Sequence, residues 1–340
     1  MINVVFTIPY YLEERDKKFS PFLMPQINSI IPFIGEHEII YLESGFNLVK
    51  ILKNIKKLKK VRSKEKNHII MSTYGSLHGF LVILLLKNNF KIINTFGGSD
   101  LLGSSNNSIY WNIRNSITKI LSFYTAKKAD YVIVKSKSLY NVLNTKIKTP
   151  ISIIPNGVDL KLFHPKNNKQ ELRTKLYFES DEFVVLFNSR RNNSKFELVK
   201  NFDLARKVIK SLKLKTTKKI IFKIISNKSQ FELNELFNAG DCLLLTSFHE
   251  GSPNIIKEAM ATNLPIVSVD VGDVNVRINN CSNCYISMGY CEDELSDLLL
   301  KVLSSNERSN GRTKLIEQKL DQESVANNIF KIFKDLSTTY

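Results

Sequence analysis

The chain has 340 residues, 43% of them hydrophobic and 24% charged; that balance is a soluble globular one, and the length exceeds one ordinary core and suits two domains. Lys and Arg number 49 against 32 Asp and Glu, a net charge of +17, and residues 1–164 hold 23 of the basic but only 10 of the acidic residues. Four cysteines are too few for a disulfide framework, and the longest apolar run, residues 80–86, is too short to cross a bilayer.

Residues 1–10 lack a basic leader and run into Glu13, Glu14 and Asp16. They read as a buried first strand, not a signal peptide, so a cytoplasmic protein is expected. Strands are predicted at residues 2–6, 38–42, 68–71, 91–95, 131–134 and 151–154, separated by helical stretches, which is the rhythm of a parallel sheet covered by helices. Between the second and third of them, Lys50, Lys53, Lys56, Lys57, Lys59, Lys60, Arg62, Lys64 and Lys66 punctuate Leu48, Val49, Ile51, Leu52, Ile55, Leu58 and Val61. The apolar positions follow i, i+3, i+4 steps and predict a basic amphipathic helix. Such a helix suits an anionic membrane surface, or else packs its apolar stripe on its own domain. The patch lacks the interleaved aromatics and the motifs of a nucleic-acid binder, so no nucleic acid is expected.

The polar, Pro-containing stretch 163–169 reads as a linker. Beyond it the rhythm repeats, with strands predicted at 183–187, 219–225, 242–246, 265–269 and 285–287 and a last amphipathic helix at 324–336. The fold class is α/β, two doubly wound Rossmann-like domains, with ligands expected at the carboxyl ends of the strands. Cys281 and Cys284 form a C-x-x-C with Cys291 close behind, but no fourth ligand has zinc-site spacing, so they read as plain thiols.

After the 242–246 strand comes Ser247-Phe248-His249-Glu250-Gly251-Ser252-Pro253-Asn254-Ile255-Ile256-Lys257-Glu258-Ala259-Met260-Ala261. It reads strand, loop, helix, with Pro253 at a first-turn position. The start of the helix offers unpaired N–H groups and a partial positive charge, which suits a phosphate. Glu250 falls in the loop ahead of that terminus and Glu258 in the second turn, about 7 to 8 Å along the axis at the standard rise. A nucleotide-sugar, with hydroxyls at both ends and phosphates between, fits this outline. The other reading of the spacing is one solvated Glu and one helix-surface Glu.

The segment closely resembles the E-x7-E signature of the retaining GT-B glycosyltransferases of family 4. Three further stretches are similar to that family: Ala129 to Ser136, Ile153-Ile154-Pro155-Asn156-Gly157-Val158-Asp159 with Phe163 and Pro165, and Asn263 to Val274 with its Gly-containing loop. The resemblance implies the GT-B fold, with two domains facing across a cleft: residues 1–164 as the acceptor domain, 165–320 as the nucleotide-sugar domain, and 321–340 as a helix packing back on the first. It implies a hexosyltransferase that retains anomeric configuration.

The resemblance also implies residue roles. Arg190 and Lys200 would bind the diphosphate, with Arg191 or Lys195 as substitutes in a loop longer than the family's. Glu258 would take the ribose hydroxyls and Glu250 the donor sugar, with the backbone N–H groups of Gly251, Ser252 and Asn254 nearby; Pro253 has none to give. The chain departs from the family where a His often stands in a Phe-His-Gly-Ser-Asp segment, since it has Phe96-Gly97-Gly98-Ser99-Asp100. Gly97 and Gly98 would then offer backbone groups to the donor, and Asp100 would take over catalytic work or, as the plainer reading, cap the loop. The first strand likewise lacks the family's Gly-Gly pair, and Ser20-Pro21 would occupy that place. His78 reads as a helix-end residue. No Asp-x-Asp triplet occurs, so a metal-independent enzyme without cofactor is expected. The partners implied are a UDP- or GDP-sugar, a glycan or lipid-linked acceptor of bacterial surface polysaccharide synthesis, and the inner membrane face, reached through residues 50–66. The alternatives are a nucleotide-sugar epimerase or phosphorylase of the same architecture, or an inactive basic membrane or nucleic-acid binding protein.

Overall fold

The computed structural model describes every residue except 14–15, 19–22, 63–67, 104–108, 190–198 and 339–340, and the backbone alone of 10–13, 16–18, 99 and 109–111. The chain divides into two units, Met1–Gly157 with Gln322–Tyr340, and Val158–Asp321.

The first unit carries strands β1 (Asn3–Glu13), β2 (Asp16–Lys18), β3 (His37–Glu43), β4 (His68–Thr73), β5 (Lys91–Phe96), β6 (Tyr131–Val134) and β7 (Ile151–Ile153). β3 and β4 flank β1, and the sheet continues through β5, β6 and β7, all parallel; β2 alone is antiparallel, folding back on the end of β1. The direction of winding therefore reverses at β1, so the carboxyl ends of β1 and β4 form a topological switch point. β1 runs well past the expected 2–6. Pro9 is tolerated there because β4 pairs β1 only as far as Thr7, while β3 follows it to Tyr10.

Strand alternation splits this unit's core between two faces. Val5, Ile70, Ile92 and Val132 point to one cluster, and Val4, Phe6, Ile69, Met71, Ile93 and Ile133 to the other. The second face is closed by Ile27 and Ile30 of helix Leu23–Ile30 and by Val325, Ala326, Ile329, Ile332 and Phe333 of the C-terminal helix Gln322–Ser337. Phe33 and Phe330 lie 5.8 Å apart across that contact.

The second unit is a five-stranded, all-parallel sheet of β8 (Phe183–Asn188), β9 (Ile220–Ile225), β10 (Cys242–Leu245), β11 (Ile266–Val269) and β12 (Cys284–Ser287), in the order β12-β11-β10-β8-β9. β9 lies on one side of β8 and β10 on the other, so its switch point falls at the ends of β8 and β10. The stretch 163–169, read from sequence as a linker, is packed into this unit. Phe163 is buried against Phe237, Arg312 donates to the carbonyls of Leu160 and Phe163, and the Lys166 N–H donates to Asn238. Its apolar anchor outweighs the polar composition around it. Val158 and Asp321 pair as a parallel bridge, so the outgoing and returning chain lie side by side at the edge of this unit.

Candidate active site

In the second unit, the end of β10 and the start of helix Phe202–Lys215 are fastened together by one side-chain hydroxyl and one main-chain bond. Thr246 Oγ1 donates to the carbonyls of Lys200 (2.8 Å) and Asn201 (3.0 Å), and the Phe248 N–H donates to Val199 O (2.9 Å). Asn201 turns into the helix with φ 51°, a left-handed conformation that Asn tolerates. Phe202 then packs on Phe187 of β8 and Phe222 of β9, which fixes where the helix begins. The outcome is that Lys200, only 7% exposed, reaches the Glu250 carboxylate and forms an ion pair with it.

Glu250 precedes helix Asn254–Ala261, and Gly251 and Ser252 are half-buried in the same loop. Pro253 is the N-cap residue, one position earlier than expected, and Asn254 opens the helix. Glu258 lies in the second turn, half-buried, where burial pushes its carboxyl up to about 7 while the neighbouring Lys257 cation pulls the other way. Arg190, with Arg191 and Lys195, lies outside the described residues, as does Ser20-Pro21.

Three features of this site carried no expectation from sequence. Lys257, 1% exposed, is buried within the helix; burial brings its ammonium down to about 8, and it donates to Ser252 Oγ at 3.2 Å. A signal existed, since a Lys beside Glu258 on an apolar helix is an anomaly. Gly272, at φ 63°, lies so near the loop that a methyl group built on it would stand 2.7 Å from Gly251 O and 2.9 Å from Glu250 O. Finally, the hydroxyls of Ser189, just after β8, and Ser247, just after β10, are buried with no hydrogen-bond partner among the described residues. Orphaned hydroxyls are uncommon in native interiors, and these two flank the switch point.

In the first unit, Asp100 is 4% exposed and its two carboxylate oxygens are taken up by the main chain, Oδ2 by the Gly75 N–H (3.1 Å) and Oδ1 by the Gly98 N–H (2.9 Å). Burial raises its pKa and the amides oppose the rise. Asp100 thus ties the turn after β4 to the turn after β5. Gly97 is exposed, and a side chain there would strike the ring of Tyr74. His78 is buried in a turn (Gly75–Gly79) ahead of helix Phe80–Leu86, its Nε2 3.2 Å from Glu43 O, with its pKa lowered by burial.

Helix Leu48–Arg62 has two apolar sets. Leu58 and Val61 are buried and Ile51 and Ile55 pack on the unit's own core, whereas Leu48 (70% exposed), Val49 and Leu52 face outward. Lys50 and Lys57 turn back to cap carbonyls of Ser44 and Tyr41, while Lys53, Lys56, Lys59, Lys60 and Arg62 are exposed. Lys64 and Lys66 lie outside the described residues. Among those described, no helix is long and apolar enough to cross a membrane.

The two α/β units have the GT-B fold, and the two family models that match the chain are both of glycosyltransferases. Residues 20–162 match the family described as Glycosyltransferase Family 4, and residues 205–322 match that described as Glycosyl transferases group 1. The chain is 23% identical to the UDP-Gal:alpha-D-GlcNAc-diphosphoundecaprenol alpha-1,3-galactosyltransferase of Escherichia coli, across 69% of this chain and 66% of that one. It is 25% identical to an uncharacterized glycosyltransferase of Methanocaldococcus jannaschii, across 98% and 91%. In fold it is similar to sucrose-phosphate synthase from Thermosynechococcus elongatus, with TM-score 0.77 at 15% identity over the full length of both chains.

Proposed function

We propose that this glycosyltransferase moves a sugar from a nucleotide-sugar, UDP being the first nucleotide to test, to a hydroxyl of a lipid-linked glycan, with retention of anomeric configuration and without a metal ion. The observation that carries the reading is the Lys200–Glu250 ion pair, held at the switch point of the second sheet just ahead of helix Asn254–Ala261. When a nucleotide-sugar breaks at its glycosidic bond, negative charge grows on the outer phosphate. A fixed ammonium and the N-terminal amides of a helix lower that barrier, and they do so without a divalent ion. Lys200 supplies the ammonium, joined by Arg190 and by the hydroxyls of Ser189 and Ser247. Glu258 accepts hydrogen bonds from the ribose. Glu250 stays beside Lys200 and orients the donor sugar, with Gly251, Ser252 and Asn254 lending main-chain groups. Asp100 acts in the first unit as a positioning residue, since its oxygens are engaged by Gly75 and Gly98.

The acceptor class is suggested by the name of the Escherichia coli relative, whose acceptor is carried on diphosphoundecaprenol. An acceptor held in a membrane suits the exposed Leu48, Val49 and Leu52 set among cations. Ile113, Ile117, Ile120 and Tyr124 form a second exposed stripe, on helix Ile109–Lys128, whose Arg114 lies over the Phe46 ring. A peripheral enzyme at the inner membrane face is the corresponding location. The test is to incubate the purified protein with UDP- and GDP-sugars and a diphosphate-linked GlcNAc lipid, with and without EDTA. Expected is transfer that survives EDTA, with the donor's anomeric configuration kept in the product by NMR. No transfer from any donor, or an inverted product, would remove the reading.

A further inference from the structure

We propose that Tyr74 is a substrate-contacting residue, its ring a platform for a pyranose ring of the substrate at the carboxyl end of the first sheet. The proposal rests on the glycosyltransferase reading and adds a residue to it.

Tyr74 is the first residue beyond β4, next to the switch point at β1. Its backbone has φ 67° and ψ 140°, a region almost reserved for glycine. Gly75 follows it directly, so the chain bends sharply here with a bulky aromatic at the bend. A glycine at 74 would adopt the conformation without cost, so a requirement on the side chain is the physical reason to look for.

The ring lies against Gly97 in the turn after β5. A methyl group built on Gly97 would stand 2.6 Å from Tyr74 Cε1 and 3.4 Å from Cδ1. Tyr74 therefore fills the volume that a side chain at 97 would take. The backbone beneath is fixed from several sides: the Tyr74 N–H donates to Thr95 O at 2.8 Å, and Asp100 holds Gly75 and Gly98 together. Two further glycines are tightly enclosed, since a side chain on Gly75 would strike Phe96 and one on Gly79 would come within 2.8 Å of Tyr74 O. Gly98, in contrast, is buried, with φ 137° and, among the described residues, no atom within 4 Å of a methyl group built on it. A half-buried aromatic ring thus stands against the exposed, side-chain-free backbone of Gly97. That pairing suits a sugar, whose C–H face packs on an aromatic ring while its hydroxyls reach main-chain N–H and C=O groups.

The pyranose has two sources, donor and acceptor, and one experiment separates them. Wild type, Tyr74→Gly, Tyr74→Phe, Gly97→Ala and the Tyr74→Gly/Gly97→Ala double variant are compared for transfer, for nucleotide-sugar hydrolysis in the absence of acceptor, and for Tm. Tyr74→Gly is expected to melt at or above the wild-type Tm, because the strained φ is relieved, yet to lose tenfold or more in kcat/KM. Tyr74→Phe keeps most of the activity. Gly97→Ala loses activity comparably while Tyr74 is present and adds nothing to the loss in the double variant. A donor pyranose makes hydrolysis fall in step with transfer; an acceptor pyranose leaves hydrolysis intact and raises the acceptor KM. If Tyr74→Gly retains kcat/KM within twofold of wild type for both substrates, or if the two substitutions combine additively, the proposal is overturned. A wild-type protein that transfers nothing removes the functional reading itself, and this proposal with it.

Discussion

Glu258 and Lys257 are adjacent on one helix, yet burial shifts them in opposite senses, the acid up to about 7 and the base down to about 8. Each resists becoming charged. Lys257 is also faced by Asp273, which favours its ammonium, and by Arg277, which opposes it. The consequence for stability has a definite sign. Folded Glu258 keeps its proton up to about pH 7, whereas its ordinary value is 4.5. Stability from this group is therefore present below pH 4.5 and lost as pH rises through 7; the lysine acts only above pH 8, outside that window. Glu258→Gln should match the wild-type Tm at pH 4.5, exceed it at pH 8, and bind donor more weakly by roughly tenfold or more, the size of a hydrogen bond to a charged acceptor. Parallel melting curves for the two proteins from pH 4.5 to 8 would show that Glu258 does not carry the raised pKa described.

At the scale of elements, the strand-loop-helix unit that carries Glu250 is held by a neighbour distant in sequence. The turn after β11 approaches the Glu250–Gly251 main chain so closely that only glycine fits at 272, for two reasons at once: its positive φ and the backbone oxygens 2.7 and 2.9 Å from a built methyl group. Backbone atoms cannot swing aside as a flexible side chain would. Gly272→Ala is expected to cost about 1 to 3 kcal/mol in urea unfolding and to raise the nucleotide-sugar KM. Gly289→Ala, where a methyl group meets nothing within 4 Å, serves as the control and should be near neutral; equal effects at both positions would refute the packing role. Gly272 also marks what sequence could and could not disclose. The parallel strands were legible because fully buried strands read as apolar runs, and Glu250, Glu258 and the loop before Asn254 were legible because a helix start has a local chemistry. Long-range contacts have no local signature. The sequence showed a glycine at 272 but not the carbonyls it faces, and a polar stretch at 163–169 but not the Phe237 ring that holds Phe163. Gly97 invited the question of what replaces a side chain there, while the Tyr74 ring beside it comes from another strand altogether.

For the molecule as a whole, the governing quantity is the net charge of +17 and its concentration in residues 1–164. Charge of this sign draws a protein toward anionic surfaces, with about 1 kcal/mol gained for each cation near the leaflet. Lys53, Lys56, Lys59, Lys60 and Arg62 are exposed on one helix beside Leu48 and Leu52, and together with Lys56, Lys59 and Lys60 the residues Leu52 and Ile55 line an open recess of about 520 Å³. Charge alone would give attraction that salt abolishes, and apolar exposure alone would give binding indifferent to lipid headgroup. The two together predict binding that needs both. Vesicles containing anionic phospholipid should sediment with the protein at low salt and largely release it at about 0.5 M NaCl, where screening acts over only a few ångströms. Replacing Leu48 and Leu52 with Ser should weaken binding at fixed salt without altering Tm, because neither residue is part of the buried core. The same change at Ile117 and Ile120, exposed on helix Ile109–Lys128, asks whether that stripe shares the contact. Equal binding to neutral and anionic vesicles would deny the charge its part. No binding to either would leave the helix a structural element, its buried Leu58 and Val61 serving the first core alone.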